Sequence, residues 1–107
     1  MTEIRRLQIE VSRWGGQQFG ITDNPRSTIA HLRKEVGELL DEPYDSDEYA
    51  DCLTLLLHAA HIAGISVETI IDVSWEKLDI NRHRDWGEPD ADGVVEHVRN
   101  DSGAGDD

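Results

Sequence analysis

Apolar residues recur along this chain at three- and four-residue steps and almost nowhere in strict alternation, a pattern that predicts helices rather than strands. Ile4, Leu7, Val11 and Trp14 mark a first helix from about Glu3 to Phe19, with Gly15 and Gly16 weakening its second half. Asn24-Pro25 opens a second, as a cap followed by proline at the first helical position. Ile29, Leu32, Val36, Leu39 and Leu40 carry its stripe to about Asp41, and Pro43 stops it. A third helix starts near Asp45 or Ser46 and ends at Gly64, a residue suited to a helix C-terminus. Its middle, CLTLLLHAAHIA, is apolar on most sides, which predicts burial on more than one face and, in a domain this small, a subunit interface. The fourth runs from after Ser66 to about Trp86, with Val67, Ile70, Ile71, Ser74, Trp75 and Leu78 on its inner side. The expected fold is all-α and four-helix bundle-like, with a short acidic C-terminal extension. Residues 1–98 form one domain in this reading, and residues 99–107 (RNDSGAGDD) a disordered acidic tail.

Charge narrows the possible partners. The 107 residues carry a formal net charge of −13, which argues against nucleic acid and against an anionic membrane as partners. No apolar run reaches the ~18 residues of a membrane span, and the N-terminus lacks the apolar core of a secretory signal. The single cysteine, Cys52, cannot form an internal disulfide, so a cytoplasmic location is expected. The acidity is uneven: residues 85–107 hold eight acids against one base, Arg99.

Much of the remaining charge falls in two pairs. Glu35 and Glu38 lie in KEVGELL, and Glu48 and Asp51 in DEYADCL. Each pair is spaced i, i+3 and so shares one helix face. On a helical wheel both pairs border the apolar stripes, where side chains of adjacent helices can converge on one cleft. An all-oxygen cage of this kind suits Mg²⁺ or Mn²⁺, and two or more such ions are a common means of hydrolysing phosphate anhydrides. The bland alternative is that Asp45 and Glu48 form a capping box and that Glu35 and Glu38 are a solvated face. A di-iron site is disfavoured because the chain has no Glu-x-x-His.

Lys77, Asn81 and Arg84 share one side of the fourth helix at i, i+4 and i+7. They could contact a polyphosphate or form an ordinary surface ridge of weak ion pairs. Among the tryptophans, Trp14 beside Gly15-Gly16 is the best candidate to stack on a nucleobase, since glycines let a ring and a ligand approach the backbone. Trp75 reads as core and Trp86 as a helix-end anchor. His58 and His61 read as packing or interface residues, and Cys52 as a small buried residue.

Three stretches, HLRKEVGELLDEP, DEYADCLTLLLHAAHIAGIS and EKLDINRHRDWGEPDADGVVEHV, together resemble the MazG-like, all-α nucleotide pyrophosphohydrolases, in particular the small phage-borne dATP/dGTP diphosphohydrolases. The resemblance spans about Ser27 to Val98. It implies hydrolysis of a purine (deoxy)nucleoside triphosphate, dGTP/GTP or dATP, to the monophosphate and pyrophosphate. It implies two or more Mg²⁺ or Mn²⁺ ions on Glu35, Glu38, Glu48 and Asp51, with Glu35 and Glu38 catalytic and Glu38 as the assisting base. It further implies substrate contacts from Lys77, Asn81 and Arg84, and a homodimer or homotetramer. Two rivals stay open: an enzyme acting on dUTP, dCTP or damaged nucleotides, and a non-enzymatic acidic protein that mimics DNA.

Overall fold

A computed structural model describes residues 1–99 of the chain. Four helices account for most of them: α1 (Glu3–Phe19), α2 (Arg26–Asp41), α3 (Ser46–Ile62) and α4 (Val67–Arg82). Among the described residues there is no strand, only an isolated antiparallel bridge between Trp86 and His97. The all-α expectation therefore holds. The expected tail lies outside the described residues except for Arg99. No single helix is long and apolar enough to cross a membrane.

Local chemistry sets the helix ends. The Thr2 hydroxyl accepts from the Arg5 amide at 3.2 Å and caps α1. At α2, Pro25 occupies the cap and the preceding Asn24 side chain accepts from the Arg26 amide at 3.0 Å. Asp45 caps α3, its carboxylate accepting from the Asp47 amide at 2.9 Å. At the other end of α3 the chain turns through Gly64 at φ +79°. The Ile65 amide returns to the Ala60 carbonyl at 2.8 Å and the Gly64 amide to the His61 carbonyl at 3.0 Å. This double closure is a Schellman motif, whose left-handed position glycine fills without a steric penalty.

The chain divides into two compact units, the boundary falling inside α4 between Ile71 and Asp72. In the first, α3 packs against both α1 and α2. Its fully buried apolar residues are Leu57, Ala59 and Val67, and three polar residues, Gln8, Ser12 and His58, are buried beside them. Gln8 acts as a clamp. Its Nε2 donates to the carbonyls of Leu57 (3.2 Å) and Ile65 (3.1 Å), and its Oε1 accepts from the Val67 amide (2.9 Å) and from Arg5 Nη1 (3.0 Å). One side chain of α1 thus pairs the Ile65 carbonyl and the Val67 amide at the α3–α4 joint and adds a bond to the helical Leu57 carbonyl.

One expectation is corrected here. The α4 stripe is not a buried inner side: of its six residues only Val67 is buried, and Trp75, read as core, is 66% exposed. The reason is that only the first residues of α4 belong to the α1–α3 unit. The middle of α3 buries Leu57, His58 and Ala59, while Leu53 and Leu56 stay exposed. Burial against both α1 and α2 is reached as expected, and a further side of α3 stays open.

The second unit is tied by its own backbone. After α4, residues 85–98 fold back on themselves through Gly87 N to Glu96 O (2.9 Å), Asp90 N to Val94 O (2.9 Å) and Val98 N to Asp85 O (2.6 Å). The Asp90 carboxylate accepts from the amides of Asp92 and Val94, both at 2.9 Å, and holds the turn. Trp86 anchors the start of this loop: its Nε1 donates to the Asn81 carbonyl at 3.0 Å and its ring meets His97 edge-on at 6.0 Å.

Candidate functional site

The stripe-edge positions of α2 and α3 converge because these two helices pack directly on each other. One carboxylate oxygen from each of Glu35, Glu38 and Glu48 lies within 4.8 Å of the others. Asp51 is not one of the three. It stands on the same helix one turn beyond Glu48, close enough for its charge to act on both Glu35 and Glu48. Glu35 and Glu48 hold protons more tightly than ordinary carboxyls. Glu35 is raised first by a hydrogen bond shared with Glu38, then by desolvation and by the charges of Glu38 and Asp51, and is partly relieved by His31. Glu48 is raised first by burial and then by Glu38 and Asp51. The Cys52 thiol, next to Asp51, is also pushed up, by burial and then by the same acids. Cys52 is half-buried rather than buried, and a raised thiol opposes a nucleophile.

The capping-box alternative fails on geometry. A capping box needs the Glu48 side chain to accept from the Asp45 amide, but that amide donates to the Glu42 carbonyl at 3.1 Å. Instead, Glu48 Oε2 is buried without a hydrogen-bond partner. A buried, unpaired carboxylate oxygen facing two further carboxylates is costly by itself, and a cation supplies what it lacks. The donor set is all oxygen, which fits a hard divalent ion.

Sequence reasoning missed His31. Its Nε2 lies 3.4 Å from Glu35 Oε1, and the i, i+4 spacing on α2 was the available signal. The His31 ring also meets Phe19 edge-on at 6.2 Å, and Phe19 meets Trp14 edge-on at 5.5 Å. A line of rings therefore runs from the end of α1 to the carboxylates. Behind it lies a cavity of about 220 Å³ lined by Val11, Trp14, Phe19, Thr54, Leu55 and His58. A second cavity, about 650 Å³, is lined by Ser12, Gly16, Ile21, His58, His61 and Ile62 among others.

The space beside Trp14 is not left open for a ligand by Gly15, as the sequence suggested. The His58 ring fills it so closely that a Cβ on Gly15 would collide with three ring atoms. His58 is 7% exposed, and burial, then His61, lowers its pKa. The packing role expected of His58 is thus present. His61 is exposed.

Lys77, Asn81 and Arg84 belong to the second unit and are half-buried there. Arg84 Nη1 donates to Asn81 Oδ1 at 3.1 Å, so these two side chains form one group.

Comparison with known proteins identifies the family. A model of the dATP/dGTP pyrophosphohydrolase family matches residues 7–104. The chain is 36% identical over 97 residues to the dATP/dGTP diphosphohydrolase of Cyanophage S-2L, covering 89% of this chain and 88% of that protein. It is 35% identical over 100 residues to a dATP/dGTP diphosphohydrolase of Salmonella phage PMBT28. It is 39% identical over 87 residues to the Eaa protein of Salmonella phage P22. Those two are longer proteins, of which the chain spans 31% and 27%. Among solved structures, the fold is similar to the cyanophage S-2L MazG-like pyrophosphohydrolase bound to dGDP and three catalytic Mn²⁺ ions per active site. The TM-score is 0.71 at 34% identity, over 92% of this chain and 96% of that one. The chain therefore belongs to the dATP/dGTP pyrophosphohydrolase family and is a hydrolase of the MazG-like, all-α type.

Proposed function

We propose that this chain hydrolyses dGTP or dATP to the deoxynucleoside monophosphate and pyrophosphate, with Mn²⁺ or Mg²⁺ held by Glu35, Glu38 and Glu48 and with Asp51 completing the set. The observation that carries this reading is the gathering of three carboxylates around the buried, unpartnered Glu48 Oε2. The relatives supply the purine: the S-2L and PMBT28 proteins are dATP/dGTP diphosphohydrolases, and the solved neighbour holds dGDP and Mn²⁺. When bound by these carboxylates, two or more such ions would offset the triphosphate's charge and lower the pKa of a bound water.

The side chains divide the remaining work. Glu35 is steadied by His31 and stays a ligand. Glu38, the exposed member of the three, takes a proton from water as the water oxygen bonds to the α-phosphorus. The bond between the α-phosphorus and the bridging oxygen breaks, and pyrophosphate leaves. Lys77 and Arg84 meet the phosphates, and the hydrogen bond from Arg84 to Asn81 keeps the guanidinium fork oriented. The base enters the 220 Å³ cavity beside Trp14 and Phe19, whose wall of rings leads through His31 to Glu35. That volume is below the ~300–1,000 Å³ of a drug-sized site, so it takes one ring system and leaves the phosphates outside.

The working form is a homodimer or homotetramer. Ile29, Val36 and Leu40 on α2 and Leu53 and Leu56 on α3 stay exposed in the single chain, and apolar surface of that extent marks an interface. A phage-encoded member would act in the host cytoplasm, on the host's nucleotide pool.

The test is product analysis by ion-exchange chromatography after incubation with each common dNTP and NTP, with Mn²⁺, Mg²⁺ or EDTA. Metal-dependent monophosphate plus pyrophosphate from dGTP or dATP is expected. Turnover confined to pyrimidines, or no turnover at all, would overturn the reading.

A further inference from the structure

His58 is the one residue that lines both cavities. Three facts define it. It is 7% exposed, and its ring is seated so tightly over Gly15 that no side chain could stand there. Among the described residues the ring makes no hydrogen bond to the protein. Burial and the neighbouring His61 both disfavour its charged form. A ring nitrogen without a protein partner is left to face the cavities that His58 lines, so it can bond to something that arrives there. It closes the cavity that also holds Trp14, Phe19 and Leu55, which supply the flat apolar walls a nucleobase stacks on. Thr54, the other polar residue there, already donates its hydroxyl to the Asp51 carbonyl at 3.1 Å. His58 is therefore the donor-and-acceptor group left at this end of the cavity.

A neutral imidazole carries one N–H and one bare nitrogen, and the two exchange by tautomerism. Held in place by Gly15, the ring can change what it offers without moving. The second cavity serves either form, because the Ser12 hydroxyl that lines it is buried and unpaired and a hydroxyl donates or accepts equally well. The geometry points to His58 as the residue that reads the 6-position of the purine, donating to the 6-oxo oxygen of guanine in one tautomer and accepting from the 6-amino group of adenine in the other. This rests on the purine triphosphate reading above and explains how one pocket admits both bases.

Two measurements test it on the full chain. The first is the nitrogen–proton correlation spectrum of the His58 ring in Mg²⁺ complexes with the α,β-methylene analogues of dGTP and dATP. Opposite tautomers in the two complexes are expected. The same tautomer in both, or an imidazolium, overturns the assignment. The second compares kcat/KM for dGTP, dATP and the deoxynucleoside triphosphate of unsubstituted purine. The wild type should disfavour the unsubstituted base by at least ~10-fold. In His58→Phe, dGTP and dATP should fall to the level of the unsubstituted base, and His58→Gln, which keeps a donor and an acceptor, should restore part of the difference. A wild type that makes no distinction, or a folded His58→Phe that keeps it, overturns the role of His58 while the purine reading stands. Failure to hydrolyse any purine triphosphate overturns both.

Discussion

Glu38 shows how one residue can oppose stability and serve chemistry. It shares a hydrogen bond with Glu35 and adds charge to Glu35 and Glu48, raising the proton affinity of both. The folded chain then binds protons more tightly than the unfolded one. Its metal-free stability from these groups is fully present below the ordinary carboxyl value of about 4.3. It is lost as pH rises through the raised values. Glu38→Gln removes one of the opposed charges. In EDTA above neutral pH the variant is expected to melt higher than wild type, as read by differential scanning fluorimetry. With Mn²⁺ the order should reverse, because ions that bind only the folded state stabilise it by mass action. Loss of groups that merely support a metal ligand costs ~10–100-fold, so loss of a ligand should cost at least ~100-fold in kcat/KM. Wild-type turnover by Glu38→Gln would remove Glu38 from the site. The pairs were legible in sequence because i, i+3 spacing fixes a shared face. His31 was equally legible by its i, i+4 spacing from Glu35, but nothing in the sequence placed Phe19 against its ring.

At the scale of elements, helix identity follows from periodicity and boundaries follow from caps, and both were readable. What joins the helices was not. Gln8 sits between Leu7 and Ile9, and no pattern in the sequence distinguishes it from a solvated residue. Its role depends on backbone groups 49, 57 and 59 positions away. Gln8→Leu fills the space but leaves the Ile65 carbonyl and the Val67 amide without their partner at the α3–α4 joint. Each unsatisfied buried group costs ~1–3 kcal/mol. A net loss of about 2 kcal/mol or more in urea unfolding is expected, against a few tenths for Gln17→Leu on the exposed side of the same helix. The α4 stripe misled for a related reason. Its spacing describes a helix with an apolar side, but spacing does not say which surface covers that side, and only Val67 is covered within the chain.

For the whole molecule, the small core sets the terms: only Leu57, Ala59 and Val67 are fully buried apolar residues among those described. A fold with so small a core gains from association, and the open residues of α2 and α3 are where it would occur. Sedimentation at micromolar concentration should show a dimer or tetramer. Leu56→Lys should shift the distribution towards smaller species and lower the melting temperature, and a wild type that sediments as a monomer would refute the oligomer. The −13 charge and the excess of apolar positions on α3 were visible in the sequence; which of those positions one chain leaves open required the fold. The central claim is that the carboxylate cluster directs water to the α-phosphorus of a purine deoxynucleotide. Its most direct test is phosphorus NMR of dGTP hydrolysis in ¹⁸O-labelled water, with Mg²⁺ and with EDTA. The isotope should enter the phosphorus of dGMP, leave pyrophosphate unlabelled, and do neither in EDTA. Label in pyrophosphate or in inorganic phosphate, or hydrolysis that persists in EDTA, would contradict the claim.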